Sequence, residues 1–248
     1  MSYSDFEYEI FGRQFILNAF SQKKIDKLGK CKVSIIGVGG IGCPLSIYLL
    51  SSGIKNMQIF DGDIIEKSNL NRQILFSSQD LGKKKTETAK RKLLKINPES
   101  KINAINKNLD ESNYDFLCDS SIVIDTSDNW KTMKLVNEYC VKNSIPLISS
   151  SVVGFDVEIA VFENNKNNHV CLNCLFPNKN DINLPRCETI GVSGIASGMA
   201  GLLSAQKTIN FLINLNKEVN ILTLLNVLKG DLQNIYLKNN NKCYLNNL

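Results

Sequence analysis

The chain has 248 residues, of which 43% are hydrophobic, and it carries a formal net charge of +5. A chain of this length and composition can bury a substantial core, which excludes global disorder. The positive charge is spread along the sequence without a long basic tract, so it does not indicate nucleic-acid binding.

The N-terminal segment Met1–Glu9 is acidic and lacks a basic stretch followed by an apolar one, so we expect no signal peptide. Two uncharged stretches, Val33–Ile54 and Thr189–Gln206, are too rich in glycine and hydroxyl residues to be membrane spans. Eight cysteines without a secretion signal indicate reduced thiols. These features together predict a cytoplasmic protein.

Short apolar β runs alternate with helical segments through the N-terminal part of the chain. The predicted strands are Lys32–Gly37, Met57–Asp61, Ile102–Asn106, Ile122–Asp125 and Pro146–Ser150. The predicted helices are Ile41–Ser52, Lys84–Ile96 and a segment from about Asn129 to Asn143. This alternation predicts a doubly wound, mostly parallel α/β sheet of the Rossmann type.

The pattern changes in the C-terminal part of the chain. Val152–Phe162 alternates as a hairpin or sheet edge does, His169–Cys187 is predicted to be a crossing loop, and Gly191–Leu215 contains a helix. Closing antiparallel strands are predicted at Ile221–Val227 and Leu232–Leu237. No linker separates these elements from the parallel part, which favours one extended sheet.

A glycine-rich turn, I-G-V-G-G-I-G, follows the first predicted strand and opens a helix. Its glycines are Gly37, Gly39, Gly40 and Gly42. Glycines permit a tight turn and close backbone approach to a phosphate, which N–H groups at the helix start can bind. Asp61 ends the next strand, 19 positions after Gly42, where a carboxylate can accept hydrogen bonds from ribose hydroxyls. The motif alone does not separate NAD, FAD and ATP, and such glycines can also serve only strand–helix packing.

Polar and cationic residues follow the predicted ribose acid. They occur as S-N-L-N-R-Q at residues 68–73 and as G-K-K-K at residues 82–85. A dehydrogenase keeps the pyrophosphate of its cofactor intact and has no use for so many cations. An enzyme that expels pyrophosphate must stabilise the charge that develops on the leaving phosphates. We interpret Lys83 and Lys84 as residues of a solvated helix face.

An ordered series of motifs resembles the ThiF/MoeB/HesA family, the bacterial relatives of ubiquitin-activating enzymes. Besides the segments above, the series comprises G-R-Q at 12–14, D-G-D at 61–63, D-L-G at 80–82, I-N-P at 96–98, D-T-S-D-N at 125–129, C-L-N-C at 171–174 and C-E-T-I-G-V at 187–192. The resemblance covers nearly the whole chain. It implies a single domain over residues 1–248, in which 1–151 bind the nucleotide and 152–248 bind a carrier protein and close the fold.

The resemblance implies ATP-dependent adenylylation of the C-terminal Gly-Gly carboxylate of a small ubiquitin-like sulfur-carrier protein. A sulfur donor, either a desulfurase or a rhodanese-like protein, would then convert the adenylate to a thiocarboxylate. The segment S-S-S-V-V-G-F at 149–155 is closer to the thiamine-thiazole branch than to the molybdopterin branch. A molybdopterin enzyme, or one that serves both pathways, remains an alternative.

Two other classes are weighed against this interpretation. An NAD-dependent oxidoreductase would explain the glycine loop and Asp61 but not Arg72, Lys85 and Asp128. An inactive scaffold subunit should have lost some of the residues Arg13, Arg72, Lys85 and Asp128, and all four are present.

The resemblance also assigns roles to individual residues. Asp128 would bind Mg²⁺ at the reacting phosphate; its alternative role is to cap the helix that begins near Asn129. Arg13 would reach the ATP of a second subunit, which implies a homodimer with shared sites. The implied nucleotide-site residues are Gly37, Gly39, Gly40, Gly42, Asp61, Asp63, Asn69, Arg72, Gln73, Lys85 and Asp128.

Cys171 and Cys174 form a C-x-x-C pair that is typical of half a structural zinc site. In the family a second pair near the C-terminus completes the site, whereas here Cys243 is followed by Asn246. Three interpretations stay open: zinc held by the three cysteines with His169 or water, a site that has lost its metal, or a reduced thiol pair.

Cys187 follows a cation and precedes a predicted helix, and both neighbours favour a thiolate. The resemblance implies that this cysteine can accept the carrier, or bridge to it, after adenylylation. Its alternative role is that of a small, half-buried loop residue.

Overall fold

The computed structural model describes residues 3–164, 170–177, 191–216 and 218–247. Within these residues one sheet of eight strands carries helices on both faces. The strands are β1 (Lys32–Ile36), β2 (Asn56–Phe60), β3 (Lys101–Ile105), β4 (Ile122–Asp125), β5 (Leu147–Val153), β6 (Asp156–Phe162), β7 (Ile221–Asn226) and β8 (Asp231–Tyr236). The α-helices are α1 (Asp5–Phe15), α2 (Gln22–Lys30), α3 (Gly42–Ser51), α4 (Lys85–Leu93), α5 (Trp130–Lys142), α6 (Leu172–Leu175) and α7 (Gly194–Leu212).

The strand order across the sheet is β3-β2-β1-β4-β5-β6-β7-β8. Strands β1 to β5 are parallel, and β6, β7 and β8 continue the sheet in antiparallel fashion. The predicted fold class is therefore confirmed. Because β1 lies between β2 and β4, the winding reverses there, and a crevice opens beyond the carboxyl ends of these strands.

Each face of the sheet buries its own apolar core. On one face, α3 and α7 pack against each other and contribute Leu45, Leu49 and Ala200 to the larger core. On the other face, α5 and α6 contribute residues such as Val136 and Leu172. Among the described residues no helix is both long enough and apolar enough to cross a membrane.

Helices α1 and α2 precede the first strand and were not predicted. Helix α1 begins with a capping box, in which the Ser4 hydroxyl accepts from the Glu7 N–H and the Glu7 carboxylate accepts from the Ser4 N–H. Glu7 is buried, and its Oε2 lies 2.5 Å from Lys55 Nζ. This ion pair fastens α1 beside the start of β2.

Some boundaries in the C-terminal part differ from the prediction. Strand β5 continues to Val153 instead of ending at Ser150, because β6 pairs with its full length from Leu147 onward. The predicted crossing loop contains the short helix α6 in its described portion.

Candidate active site

The glycine loop connects β1 to α3 and folds back on itself. Gly37 has a φ of +91°, and its N–H donates to the Phe60 carbonyl on β2 at 2.8 Å. A Cβ at Gly42 would lie 2.2 Å from the Gly37 carbonyl oxygen, so no side chain fits there. Gly42 therefore serves the shape of the loop.

A cleft of about 1600 Å³ opens at the carboxyl ends of β1, β4 and β5 and beside the start of the antiparallel strand β6. Typical small-molecule pockets measure about 300–1,000 Å³, so this cleft exceeds the needs of one nucleotide. The predicted residues that line it are Gly37, Gly39, Gly40, Asp61, Asp63, Arg72, Gln73, Lys85 and Asp128. Of the other predicted nucleotide-site residues, Gly42 and Asn69 do not line it.

The predicted ribose acid, Asp61, is anchored to the glycine loop. Its Oδ2 accepts from the Val38 N–H and its Oδ1 from the Asp63 N–H, each at 2.9 Å. Burial raises the pKa of Asp61, and the charge of Lys85 opposes that shift. The carboxylate is thus held at the end of β2, inside the cleft.

Lys85 begins α4 and is buried, with 6% of its surface exposed. Its Nζ lies 2.8 Å from Asp63 Oδ2 and 3.9 Å from Asp61 Oδ1. Behind it, the buried carboxylate of Asp80 pairs with Arg91 and Lys92. Burial by itself would raise the pKa of Asp80, but these hydrogen bonds lower it well below the usual range. The network ties the loop before α4 to the helix that carries Lys85.

Arg72 follows a 3₁₀ helix, Lys67–Asn69, and lines the cleft. Its Nη1 donates to the Ser68 carbonyl at 2.9 Å and to Asn71 Oδ1 at 3.1 Å. The Asn69 side chain instead accepts from the Glu66 N–H and stabilises this turn. In this arrangement Asn69 contributes to the turn that orients Arg72.

Asp128 lies in the loop between β4 and α5, exposed to the cleft. The capping role considered for it belongs to its neighbour: Asn129 Oδ1 accepts from the Thr132 N–H at 2.9 Å. No hydrogen bond or ion pair engages the Asp128 carboxylate within the described part of the chain. The carboxylate is therefore free to bind a cation.

Asp125 ends β4 beneath this loop and is only 1% exposed. Burial raises the pKa of Asp125 to about 6. Its Oδ1 accepts from the Ser127 N–H at 2.9 Å and so shapes the turn that leads to Asp128.

The structure places Arg13 away from the cleft of its own chain. The neighbouring Gln14 donates to the Ser52 carbonyl at the C-terminal end of α3, whereas the glycine loop lies at the other end of that helix. A ten-residue helix is about 15 Å long, so α3 separates Arg13 from its own glycine loop.

The three cysteines Cys171, Cys174 and Cys243 converge and are buried. Their sulfur atoms lie within 4.8 Å of one another, with Cys171 Sγ and Cys243 Sγ 3.7 Å apart. Hydrogen bonding between the two thiols of the C-x-x-C pair lowers the pKa of Cys174 and raises that of Cys171. Three convergent thiols are a suitable donor set for zinc. His169 and Cys187 lie outside the described residues.

Two cleft residues were missed in the sequence. Thr126 lies between the predicted acids, and its hydroxyl contacts the glycine loop. Glu158 lies on β6 and lines the cleft. Its neighbours Val157 and Ile159 point to the opposite face of the sheet and pack in the core. That alternation is visible in the sequence and could have identified Glu158, whereas nothing local indicates the contact of Thr126.

The chain matches the ThiF family over residues 11–245. It is 32% identical over 210 residues to the sulfur carrier protein ThiS adenylyltransferase of Escherichia coli (strain K12), covering 84% of this chain and 83% of that relative. It is 29% identical over 215 residues to a probable molybdopterin-synthase adenylyltransferase of Gracilaria tenuistipitata var. liui, covering 86% of this chain and 60% of that protein. The crystal structure of E. coli MccB with ATP has a TM-score of 0.82 to this chain at 25% identity, covering 100% of this chain and 76% of that one. The predicted family is confirmed, and this chain belongs to the ThiF family.

Proposed function

We propose that this chain adenylylates the C-terminal carboxylate of a ubiquitin-like sulfur-carrier protein with ATP as the other substrate. The observation that carries the proposal is the convergence of Asp61, Arg72, Lys85 and Asp128 on one cleft beside the glycine loop. The names of the similar adenylyltransferases support it. The size of the cleft also supports it, because a nucleotide and the tail of a second substrate must be held together.

In the proposed reaction the carrier carboxylate attacks the α-phosphorus of ATP, and the bond to the leaving pyrophosphate breaks. A carboxylate is ionised at neutral pH, so the reaction needs positioning and charge stabilisation more than a general base. Arg72 and Lys85 would stabilise the charge on the leaving phosphates. Asp61 would orient the ribose through its free lone pairs.

Mg²⁺ would neutralise phosphate charge in this cleft. Asp128 suits it, since Mg²⁺ prefers one or two carboxylates together with phosphate oxygens. The carboxylate has no competing partner among the described residues, because Asn129 supplies the helix cap.

The first candidate substrate is the sulfur-carrier protein of the thiamine-thiazole pathway. It is supported by the segment 149–155 and by the similarity to the ThiS adenylyltransferase. The molybdopterin pathway is the second candidate, supported by the Gracilaria relative. In either case a desulfurase or rhodanese-like donor would supply sulfur after adenylylation. Cys187 would be the thiol that accepts the carrier or bridges to it. The reaction would take place in the cytoplasm.

The enzyme would act as a homodimer in which Arg13 completes the partner's site. Helix α1 exposes Phe6 and Ile10, which share one helical face with Arg13 at spacings of four and three, and Leu17 is exposed two residues beyond the helix. A second apolar stripe on α7 consists of Ile195, Met199 and Leu202. A second copy of the chain would cover both stripes and carry Arg13 to the other cleft.

We assign a structural zinc ion to Cys171, Cys174 and Cys243, with the fourth ligand left unassigned. Their buried, convergent sulfur atoms support this assignment. The thiols lie outside the cleft lining, so the zinc would stabilise the fold without entering the chemistry.

The proposed function is tested by ATP–pyrophosphate exchange with each candidate carrier from the same genome. Exchange should require one carrier, Mg²⁺ and an intact Gly-Gly terminus. Absence of exchange with every carrier, together with calorimetric binding of NAD in preference to ATP, would overturn it.

A further inference from the structure

The inner wall of the cleft presents a carboxylate that the proposed reaction does not use. On β6, Asp156 and Glu158 face the cleft. Asp156 Oδ1 accepts from Asn226 Nδ2 at 2.6 Å, so this carboxylate already has a hydrogen-bond donor. Glu158 has no hydrogen bond or ion pair with any described residue.

The neighbours of Glu158 across the sheet carry no positive charge. Ser151 lies opposite it on β5, and Leu224 lies opposite it on β7. Partial burial raises the pKa of the Glu158 carboxyl, and the nearby charge of Asp156 adds to the shift. Both effects disfavour the ionised form, and a cation beside the carboxylate would oppose them.

The substrates of the proposed reaction make this charge unexpected. ATP and a terminal carboxylate are both anionic, so an uncompensated Glu158 would repel them within the cleft. The repulsion disappears if the tail of the carrier carries a basic side chain where it passes β6.

The sheet geometry sets the position of that side chain. Asp125 and Ser149 are register partners on β4 and β5, and β6 is the next strand. Two strand spacings, about 10 Å, therefore separate the end of β4, near Asp128, from the strand of Glu158. An extended tail advances about 3.3–3.6 Å per residue, so roughly three residues span this distance.

We infer that Glu158 selects carriers with a lysine or arginine about three to five residues before the terminal carboxylate. This inference rests on the proposed function and adds a substrate preference to it. Glu158 is a specificity-determining residue, so it should affect KM for the carrier and leave kcat nearly unchanged.

The test uses a ubiquitin-fold carrier ending in Gly-Gly that supports pyrophosphate exchange. Its third, fourth and fifth residues from the end are replaced in turn by Arg, Ala or Glu. With the wild-type enzyme, one position should show a KM about threefold lower for Arg than for Ala, and the KM for Glu at that position should exceed the KM for Ala. Glu158→Gln should abolish this preference, and Glu158→Arg should invert it.

Glu111→Gln is the matched control, since Glu111 is another exposed carboxylate in the lining of the cleft. It should leave the preference for a basic residue intact, and thermal unfolding of each variant verifies its fold. Equal KM values for Arg and Glu tails with the wild-type enzyme would refute the inference, as would an unchanged preference in Glu158→Gln. If no carrier supports exchange at all, the proposed function itself fails and the inference falls with it.

Discussion

The Thr126 hydroxyl oxygen lies 2.9 Å from the Gly37 carbonyl oxygen and 3.0 Å from the Ile36 carbonyl oxygen. One hydroxyl therefore joins the loop that carries Asp128 to the first residue of the glycine loop. A Cβ at Gly37 would approach Thr126 Oγ1 to 3.1 Å, so the two segments are already close. This contact sets the separation of two loops that would hold different parts of one nucleotide.

Replacing Thr126 by valine should weaken this junction. Valine has nearly the same shape but no donor, which leaves the Gly37 carbonyl without the hydroxyl. A lost hydrogen bond at a partly buried site costs about 0.5–1.5 kcal/mol, and we expect a several-fold increase in KM for ATP as the loops separate. Thr126→Ser, which keeps the hydroxyl, should retain most of the wild-type KM. Equal KM values for the valine and serine variants would show that the contact does not position the loops.

Asp128→Ala should abolish adenylylation while the fold remains intact. The carboxylate is exposed in the cleft and does not cap α5, so its loss should cost little stability. Pyrophosphate exchange should fall by roughly 100-fold or more, because the Mg²⁺ ligand that compensates phosphate charge is lost. Circular dichroism and thermal unfolding serve as the controls. Near-normal exchange by a folded variant would remove Asp128 from the mechanism.

Arg13 is expected to act across a dimer interface. Arg13→Ala and Asp128→Ala subunits should each be inactive, yet a mixture should recover part of the activity. One hybrid site in the mixed dimer then contains both groups. Subunit exchange is verified with differently tagged chains, and verified exchange without recovered activity would contradict sharing of the site.

The three convergent thiols should bind up to one zinc ion per chain. Metal analysis of protein purified without chelator measures it, and Cys243→Ser should lower both the zinc content and the unfolding temperature. The exposed Cys118 lies outside the cluster, so Cys118→Ser is the matched control. Zinc below about a tenth of an equivalent would indicate a site that has lost its metal, because structural sites of this type bind tightly.

Asp125 should make stability depend on pH in a defined direction. Its pKa is raised from 3.8 to about 6 by burial, so the folded protein retains a proton that the unfolded chain releases. The contribution to stability is therefore present at low pH and is lost as the pH rises between about 4 and 6, by roughly 3 kcal/mol. Urea unfolding of Asp125→Asn across this range should lack that loss. A parallel pH dependence in the two proteins would contradict the assignment.

The sequence by itself determined the fold class and most of the nucleotide end of the cleft. The reason is local: a glycine loop must follow a strand and open a helix, and an acid at the end of the next strand reaches the same crevice. The parallel order then follows from the alternation of strands and helices. Helix α1 was missed because its apolar and charged residues are interspersed and show no clear helical periodicity. Its capping box alone did not indicate a helix.

Only the tertiary structure decided how these segments meet. Thr126 and Gly37 are 89 positions apart, and a hydroxyl gives no sign in the sequence of which distant carbonyl it will reach. The same holds for Cys171 and Cys243, which are 72 positions apart and whose sulfur atoms approach only when the C-terminal segment packs against α6. Glu158 became distinctive once the strand register showed that no cation lies opposite it. Local chemistry is encoded in neighbouring residues, whereas these contacts depend on the packing of elements that are distant in the chain.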